Sequence, residues 1–284
     1  MKLGQKLAII YIKAKLHILA LASPRKAARE AFRIFCTPRK QGVKKYPPVF
    51  EAGQRLSFRL DGHTIRGYKW APEGGGIPVK RILILHGFDS SIRKFDHFIE
   101  AFRSKGYEVF GFDAPAHGFS SGNQINLPLY SAMIDKIAAT FGPFQGFLAH
   151  SFGGAALALS LEHIPHSPET RVALVAPATE TTTSIDKFCQ FLELSQEVRL
   201  EFYRFIEKKA GHPAAYYSIR RSLLAIHAAI LWVHDQDDDI TPLKDVLLVK
   251  EDHPPSVRFL FTRGLGHRKI YRDPEIVKEL VDYL

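Results

Sequence analysis

Six short apolar runs, most of them followed by a stretch with helical periodicity, constrain the fold of this chain more than any other feature. The runs lie at 81–85, 108–112, 144–148, 171–175, 229–233 and 257–261. Continuous apolar runs of this length are typical of strands that are buried on both faces of a parallel sheet. Helical patterns lie at 94–105, 128–141, 152–163, 243–250 and 274–284. The alternation predicts a mostly parallel sheet with helices on both faces.

Two segments with alternating polar and apolar residues, 55–60 and 64–70, precede the first apolar run. Asp61-Gly62 between them is a hairpin turn signal. These segments bring the predicted number of strands to eight, so we expect an α/β fold with an eight-stranded sheet. A length of 284 residues fits one such domain with an insertion.

One interval interrupts the alternation. Between Pro177 and Ile230 about fifty residues contain no strand pattern, whereas a crossover between parallel strands needs only about a dozen. The segment 185–209 is helical in pattern and rich in aromatic residues. We predict an inserted helical cap at about 178–228, over the carboxyl edge of the sheet. Any single aromatic is more typical of packing within the cap, but together they could form an apolar roof over a site.

The net charge of +10 is concentrated at the N-terminus. Residues 1–45 carry 12 Lys/Arg and a single acid, Glu30, whereas the other 239 residues carry 27 Lys/Arg and 28 acids. The main body is therefore nearly neutral, which argues against a nucleic-acid partner. We divide the chain into a basic N-terminal helical segment with its linker, 1–51, and an α/β domain, 52–284.

The apolar run 7–22 contains Lys13, Lys15 and His17, so it is too charged to span a bilayer, which needs about 20 mostly apolar residues. It is also a poor signal peptide. At about 100° per residue, one stripe of the helix contains four basic residues: Lys2, Lys6, Lys13 and His17. Two interpretations stay open. Residues 1–22 pack on their own domain or on a second subunit, or they make peripheral contact with an anionic membrane surface.

Two cysteines, Cys36 and Cys189, lie in no motif and suit a reducing compartment. We therefore expect a cytoplasmic protein, with membrane association as the alternative. Monomer and homodimer are both compatible with the sequence.

The residues that follow the apolar runs carry the chemistry, because ligands bind at the carboxyl ends of parallel strands. Ala149-His-Ser-Phe-Gly153 follows the third run and has the small-x-Ser-x-Gly pattern of a nucleophile elbow. A segment with four aspartates, 234–242, follows the fifth run, and 263–267, which ends in His267, follows the sixth. A serine, an acid and a histidine thus occur in the order Ser, Asp, His.

These segments resemble those of α/β-hydrolase-fold serine hydrolases, and the resemblance covers about 52–284. Asp113 to Gly122 resembles the D-x-P-G-H-G-x-S loop of that superfamily, with Ala116 in place of the first Gly. His234 to Pro242 resembles the H-G-x-x-D-x-x-V-P segment, which supplies the acid, and 264–267 resembles the segment that supplies the base. A resemblance at this level does not select a substrate.

The resemblance implies a catalytic triad. Ser151 would be the nucleophile and His267 its general base, although a helix-capping serine and a surface histidine are the simpler alternatives. Alignment with the superfamily pattern places the acid at Asp238. A slip of one residue leaves Asp237 and Asp239 open.

Backbone N–H groups of Phe88 and Phe152 would form the oxyanion hole. His86 is expected to support the loop, and it is also a candidate substrate contact. The two other candidate substrate contacts are cap aromatics, Phe188 and Phe191. His117 and His150 belong to the motifs without an expected catalytic role.

The sequence contains no phosphate-binding or metal-binding pattern, so we expect neither cofactor nor metal. It predicts a serine hydrolase that cleaves a carboxylic ester of a small-molecule acyl substrate through an acyl-enzyme, on a substrate with an apolar portion. A thioesterase or amidase with the same groups, and a non-catalytic protein of this fold that binds a ligand or partner, are the alternatives.

Overall fold

A computed structural model of the chain describes residues 3–39 and 45–284. Lys2 of the predicted basic stripe and residues 40–44 of the predicted linker lie outside the described residues. The chain folds into two compact units. One contains Met1–Thr37 and Glu180–Ser218, and the other contains Pro38–Thr179 and Ile219–Leu284. We call them the helical unit and the sheet unit.

The sheet unit contains a single sheet, which has eight strands within the described residues, in the order β1-β2-β4-β3-β5-β6-β7-β8. The strands are β1 (Gln54–Leu60), β2 (His63–Trp70), β3 (Arg81–Leu85), β4 (Glu108–Asp113), β5 (Gly146–His150), β6 (Arg171–Val175), β7 (Ala229–Asp235) and β8 (Val257–Thr262). The β1–β2 and β2–β4 pairs are antiparallel and the other five are parallel. The predicted eight-stranded, mostly parallel sheet is confirmed.

Burial along the strands explains the two sequence patterns. Strands β4 and β5 are buried at every position, whereas β1 at the sheet edge alternates between exposed and partly buried positions. The turn between β1 and β2 has positive φ at both Asp61 and Gly62, the backbone geometry that the Asp-Gly pair favours in a two-residue hairpin.

Helices lie in the segments that connect the strands and after the last strand. In the sheet unit they are α3 (Asp96–Ser104), α4 (Leu127–Phe141), α5 (Phe152–Ser160), α8 (Ile219–Ser222), α9 (Leu243–Glu251), α10 (Gly266–Lys269) and α11 (Pro274–Tyr283). A cluster of buried apolar side chains joins the sheet to its helices, and α3 contributes Phe98, Ile99 and Phe102 to this cluster. With this core in place, the carboxyl ends of β3, β5, β7 and β8 can hold polar side chains at fixed positions.

The helical unit combines two segments that are far apart in sequence: α1 (Leu3–Ala22) and α2 (Pro24–Phe35) from the N-terminus, and α6 (Thr181–Phe191) and α7 (Gln196–Ala210) from the insertion. The hydroxyl of Ser23 caps α2 by accepting from the Lys26 N–H. Small residues of α2, Ala27, Ala28 and Ala31, are fully buried against the insertion helices. The N-terminal helices and the inserted helices therefore share one core, a grouping absent from the sequence interpretation.

Within the described residues, no helix is both long enough and apolar enough to cross a membrane. Whether the insertion covers the carboxyl edge of the sheet, as the sequence analysis expects of a cap, stays a prediction.

Candidate active site

A sharp turn between β5 and α5 holds Ser151. Its backbone has φ 55° and ψ −121°, a conformation that residues other than glycine seldom adopt. Two hydrogen bonds fix this turn: the Ser151 N–H donates to the Val175 carbonyl at 3.0 Å, and the Ala178 N–H donates to the Ser151 carbonyl at 3.1 Å. The turn therefore presents the serine side chain at the carboxyl end of β5.

Close packing around this turn explains the glycines next to it. A Cβ at Gly87 would lie 2.9 Å from Ser151 Cβ, and a Cβ at Gly153 would lie 2.6 Å from the His86 carbonyl oxygen. Both distances are too short for real contacts, so the loop after β3 and the start of α5 need glycine to approach each other. Ala149, which replaces the usual first glycine of the motif, is fully buried and fits.

A hydrogen-bonded chain joins Ser151 to His267 and Asp238. His267 Nε2 lies 2.9 Å from Ser151 Oγ, and His267 Nδ1 lies 2.8 Å from Asp238 Oδ2. All three residues are buried. The histidine follows β8 at the start of α10, and Asp238 follows β7, so three strand ends bring the three side chains together.

The carboxylate of Asp238 is held in its ionised form. Burial raises its pKa, but the hydrogen bond and the charge of His267, together with hydrogen bonds from Thr241, outweigh burial and lower the pKa to about 2. Its Oδ1 accepts the backbone N–H groups of Ile240 and Thr241 at 2.8 and 2.9 Å, and its Oδ2 also accepts the Thr241 hydroxyl at 2.8 Å. Both oxygens are thus occupied by donors, and the carboxylate is fixed in its orientation.

The neighbouring aspartates have other partners. Asp235 accepts the Thr262 hydroxyl at 2.7 Å and the Leu265 N–H at 3.0 Å. Asp237 accepts the Gly264 N–H at 3.1 Å. Both carboxylates therefore hold the loop that carries the histidine. Of these three carboxylates, Asp238 is the one that contacts His267.

The backbone N–H groups of Phe88 and Phe152 lie on adjacent segments, because Leu85 of β3 pairs with Ala149 of β5. The two phenyl rings contact each other edge to face, with centroids 5.7 Å apart. Across the described part of the chain, neither N–H has a protein hydrogen-bond acceptor. Two N–H groups without partners beside a serine hydroxyl can bind a negatively charged oxygen.

The His86 side chain supports the loop after β3 through contacts with backbone groups. Its ring is fully buried, it accepts the Ala114 N–H at Nε2 (3.0 Å), and its Nδ1 lies 2.8 Å from the Gly87 carbonyl. Burial lowers the pKa of His86 to about 4, so the ring is neutral. Both ring nitrogens are engaged with backbone, which corrects the expectation that His86 contacts substrate. The hydroxyl of Tyr130 adds a bond to the His86 carbonyl at 2.9 Å.

His150 contacts the proposed base, a contact that the sequence analysis missed. Its Nε2 lies 3.1 Å from the backbone carbonyl of His267, and the two ring centroids lie 4.8 Å apart. Tyr271 also packs against the His150 ring, with ring centroids 4.5 Å apart. Burial lowers the pKa of His150 to about 3, so it is a neutral hydrogen-bond donor that positions the His267 backbone.

The two cap aromatics lie in the helical unit. Phe188 packs against Phe35 and Phe202, with centroid distances of 5.0 and 5.9 Å, and Phe191 is exposed with Lys13 Nζ 5.7 Å from its ring centroid. Their role as substrate contacts stays a prediction. Within the described ranges, no group of three or more His, Cys, Asp or Glu side chains is arranged to hold a metal ion.

Comparison with known proteins places this site in a family. Residues 76–236 match the family model described as serine aminopeptidase, S33. The chain belongs to that family. Among curated relatives of this S33 family member, a protein of Mycoplasma pneumoniae that carries an esterase/lipase name is 23% identical over 227 residues, which are 68% of this chain and 84% of that protein. A Mycoplasma genitalium protein with the same name is 27% identical over 117 residues, which are 39% of this chain and 43% of that protein.

Solved structures resemble this S33 family member in fold. An esterase of Pyrococcus furiosus aligns with a TM-score of 0.64 at 16% identity, covering 88% of this chain and 97% of that one. A thermophilic esterase of Thermogutta terrifontis aligns with a TM-score of 0.61 at 16% identity, covering 85% and 94%. At this identity the likeness establishes the fold alone. Family and fold together establish an α/β-hydrolase.

Proposed function

We propose that this protein hydrolyses carboxylic esters through an acyl-enzyme, with Ser151 as nucleophile, His267 as general base and Asp238 as the acid that orients the base. The observation that carries the proposal is the continuous hydrogen-bonded chain from Asp238 Oδ2 to His267 and on to Ser151 Oγ, with distances of 2.8 and 2.9 Å. A serine hydroxyl is a weak nucleophile until a base takes its proton, and here the base already lies within reach.

In the first half of the reaction, Ser151 Oγ attacks the ester carbonyl carbon while His267 Nε2 takes the hydroxyl proton. The carbonyl oxygen becomes an oxyanion, which the N–H groups of Phe88 and Phe152 bind. Asp238 keeps the proton of the imidazole on Nδ1 and stabilises the imidazolium. When the tetrahedral intermediate collapses, His267 gives its proton from Nε2 to the departing alkoxide, and an alcohol leaves.

In the second half, water attacks the acyl-serine ester and gives a proton to His267 Nε2. A second oxyanion forms in the same pair of N–H groups, and its collapse releases a carboxylic acid while the proton returns to Ser151 Oγ. Bonds and protons balance with water as the only co-reactant, so the cycle requires no cofactor.

Esters are favoured over other acyl compounds by the relatives, since the curated relatives carry an esterase/lipase name and the two structural neighbours are esterases. The family description, a serine aminopeptidase, supports a second candidate, cleavage of an aminoacyl amide. The same triad and oxyanion hole would serve both reactions, because each passes through a tetrahedral intermediate on the serine. We propose that the acyl or the alcohol portion of the substrate is apolar, because the insertion is rich in aromatic residues.

The test begins with a fluorophosphonate probe, which reacts with activated serines. We expect the folded wild-type protein to be labelled at Ser151, a short acyl ester to compete with the label, and Ser151→Ala to remain unlabelled. Absence of labelling in the folded wild type would overturn the hydrolase proposal and favour a binding protein of this fold. A panel of esters, thioesters and aminoacyl amides then separates the candidates by kcat/KM. We expect esters to rank first, and a higher value for aminoacyl amides would replace the ester proposal.

A further inference from the structure

Helix α1 has two apolar faces, and its own unit covers only one of them. Leu16 is buried, and Ile12, Leu19 and Ala20 pack partly buried into the core of the helical unit. A second set of large apolar side chains on the same helix is between 58% and 78% exposed: Leu7, Ile10, Tyr11, Ile18 and Leu21. These five side chains define what we call the exposed face.

The exposed face is a continuous stripe on the far side of the helix from the packed face. At about 100° per residue its members fall within an arc of about 100°, and the centre of that arc lies about 180° from the centre of the packed residues. Its spacing joins Leu7, Tyr11, Ile18 and Leu21 through the small residue Ala14, at steps of four, three, four and three. One side of α1 therefore presents an unbroken apolar surface that runs from Leu7 to Leu21.

Basic residues border the exposed face on both sides. By the same angular rule, Lys6 and Lys13 lie along one edge of the stripe and Lys15 along the other. The helix contains no Asp or Glu. Two of these lysines already have partners: Lys13 Nζ lies 2.7 Å from Glu193, and Lys15 Nζ lies 2.6 Å from Glu30. The Glu193 side chain is 74% exposed, so its ion pair with Lys13 is weak and can be exchanged for another anion.

We propose that this exposed face of α1 binds the surface of an anionic lipid bilayer, with the helix axis in the plane of the membrane. Apolar side chains enter the boundary between headgroups and acyl chains, and the flanking lysines bind lipid phosphates and carboxylates. The surrounding charge fits this partner, because residues 1–45 carry 12 Lys/Arg against one acid.

Other occupants fit less well. A second copy of α1 against the same face would bring lysines beside lysines along both edges, with no carboxylate on either helix to pair them. An anionic polymer without an apolar interior, such as a nucleic acid, would leave the five large apolar side chains in water. An anionic bilayer offers an apolar boundary for the five side chains and anionic headgroups for the lysines on either side of them.

The test uses the full chain and two kinds of vesicle, pure phosphatidylcholine and phosphatidylcholine mixed with phosphatidylserine, in a flotation assay. We expect binding to the mixed vesicles only, and weaker binding as salt is raised, because salt screens the lysines. The double variant Ile18→Ser/Leu21→Ser should bind at least about tenfold more weakly, since two apolar side chains leave the lipid boundary. Lys6→Gln should weaken binding about fivefold.

Matched controls lie in the sheet unit. Leu224→Ser removes another highly exposed leucine and Lys278→Gln removes another exposed lysine, and both should leave vesicle binding unchanged. Equal binding of wild type and the double variant to mixed vesicles, or no binding of wild type at all, would overturn the proposal. If the wild type instead dimerises in solution and the double variant is monomeric, the face is an interface between copies. Hydrolysis of a water-soluble ester should be the same in all variants, so a failure here is separate from a failure of the ester hydrolase proposal.

Discussion

Replacement of Asp238 by Asn is the sharpest test of the proposed triad, because the surroundings of this side chain fix which way an amide would face. Two backbone N–H groups, of Ile240 and Thr241, donate to Oδ1 and require an acceptor there. The amide oxygen of Asn must therefore occupy the Oδ1 position, and its NH₂ group must occupy the Oδ2 position, 2.8 Å from His267 Nδ1.

An NH₂ group at that point reverses the tautomer of the base. Because NH₂ can only donate, Nδ1 of the imidazole must accept, and its proton moves to Nε2. That proton then points at Ser151 Oγ, which lies 2.9 Å away, so the ring cannot take the hydroxyl proton. Reversal of this kind in a serine triad lowers kcat by about 10⁴-fold, which corresponds to about 5.5 kcal/mol in the activation barrier.

The assay is the steady-state kcat for a chromogenic short-chain ester, with folding checked by circular dichroism. Asp237→Asn and Asp239→Asn are the matched controls. At Asp237 an amide oxygen can still accept the Gly264 N–H, so we expect each control to retain at least about a tenth of wild-type kcat. The reasoning is refuted if folded Asp238→Asn keeps a tenth of wild-type activity, or if either control loses as much as Asp238→Asn does.

Three further predictions follow from the same geometry. Thr241→Val removes a hydroxyl donor from the ionised carboxylate, and we expect kcat to fall about tenfold with KM unchanged; an unaffected kcat in steady-state assays would contradict this role. Ala116→Gly relieves a positive φ of 66°, and thermal unfolding should show a stability gain of up to about 1 kcal/mol, whereas a lower Tm would contradict the strain argument. Burial keeps three histidines of the sheet unit neutral by lowering their pKa values to about 4, 4 and 3: His86, His117 and His150. The unfolded chain binds these three protons from pH about 6.5 downward, whereas the folded chain does not. As the pH falls from about 6 to about 4, these three groups should therefore lower the free energy of unfolding by up to about 4 kcal/mol per pH unit, as measured by urea unfolding. His150→Phe should reduce the slope by up to about 1.4 kcal/mol per pH unit, and an unchanged slope would contradict the assignment.

The sequence was sufficient for the sheet and for the order of the polar groups on it. Each of the six apolar runs forms a strand. Five of these strands are buried at most positions, whereas β8 at the sheet edge is only partly buried. The segments that follow β5, β7 and β8 bring Ser151, Asp238 and His267 to one edge of the sheet. The choice among the aspartates needed a superfamily pattern. The residues alone could not make it, because a one-residue shift in the turn after β7 would turn a different carboxylate toward the histidine.

The residues that hold the proposed triad in position could not be predicted from the sequence. Thr241 bonds to Asp238 only because the turn folds back on itself within three residues. His150 contacts His267 only because the segment after β8 brings His267 to the end of β5. No spacing of residues in the sequence predicts either contact. For His86 the sequence offers two roles, support of the loop after β3 and contact with substrate. Its complete burial decides between them, and burial is a property of the packed sheet.

The N-terminal helix α1 has two apolar faces, and its sequence periodicity alone does not separate them. A basic stripe on α1 is visible from the sequence, which leaves packing and membrane contact as two open interpretations of residues 1–22. The structure divides the apolar residues of α1 into two opposite faces, and the core around Leu16 accounts for only one of them. Packing on the protein and contact with a bilayer are therefore not competing uses of the same residues. Each has its own face, and a substitution such as Leu21→Ser can remove one without disturbing the other, because the Leu21 side chain is 78% exposed.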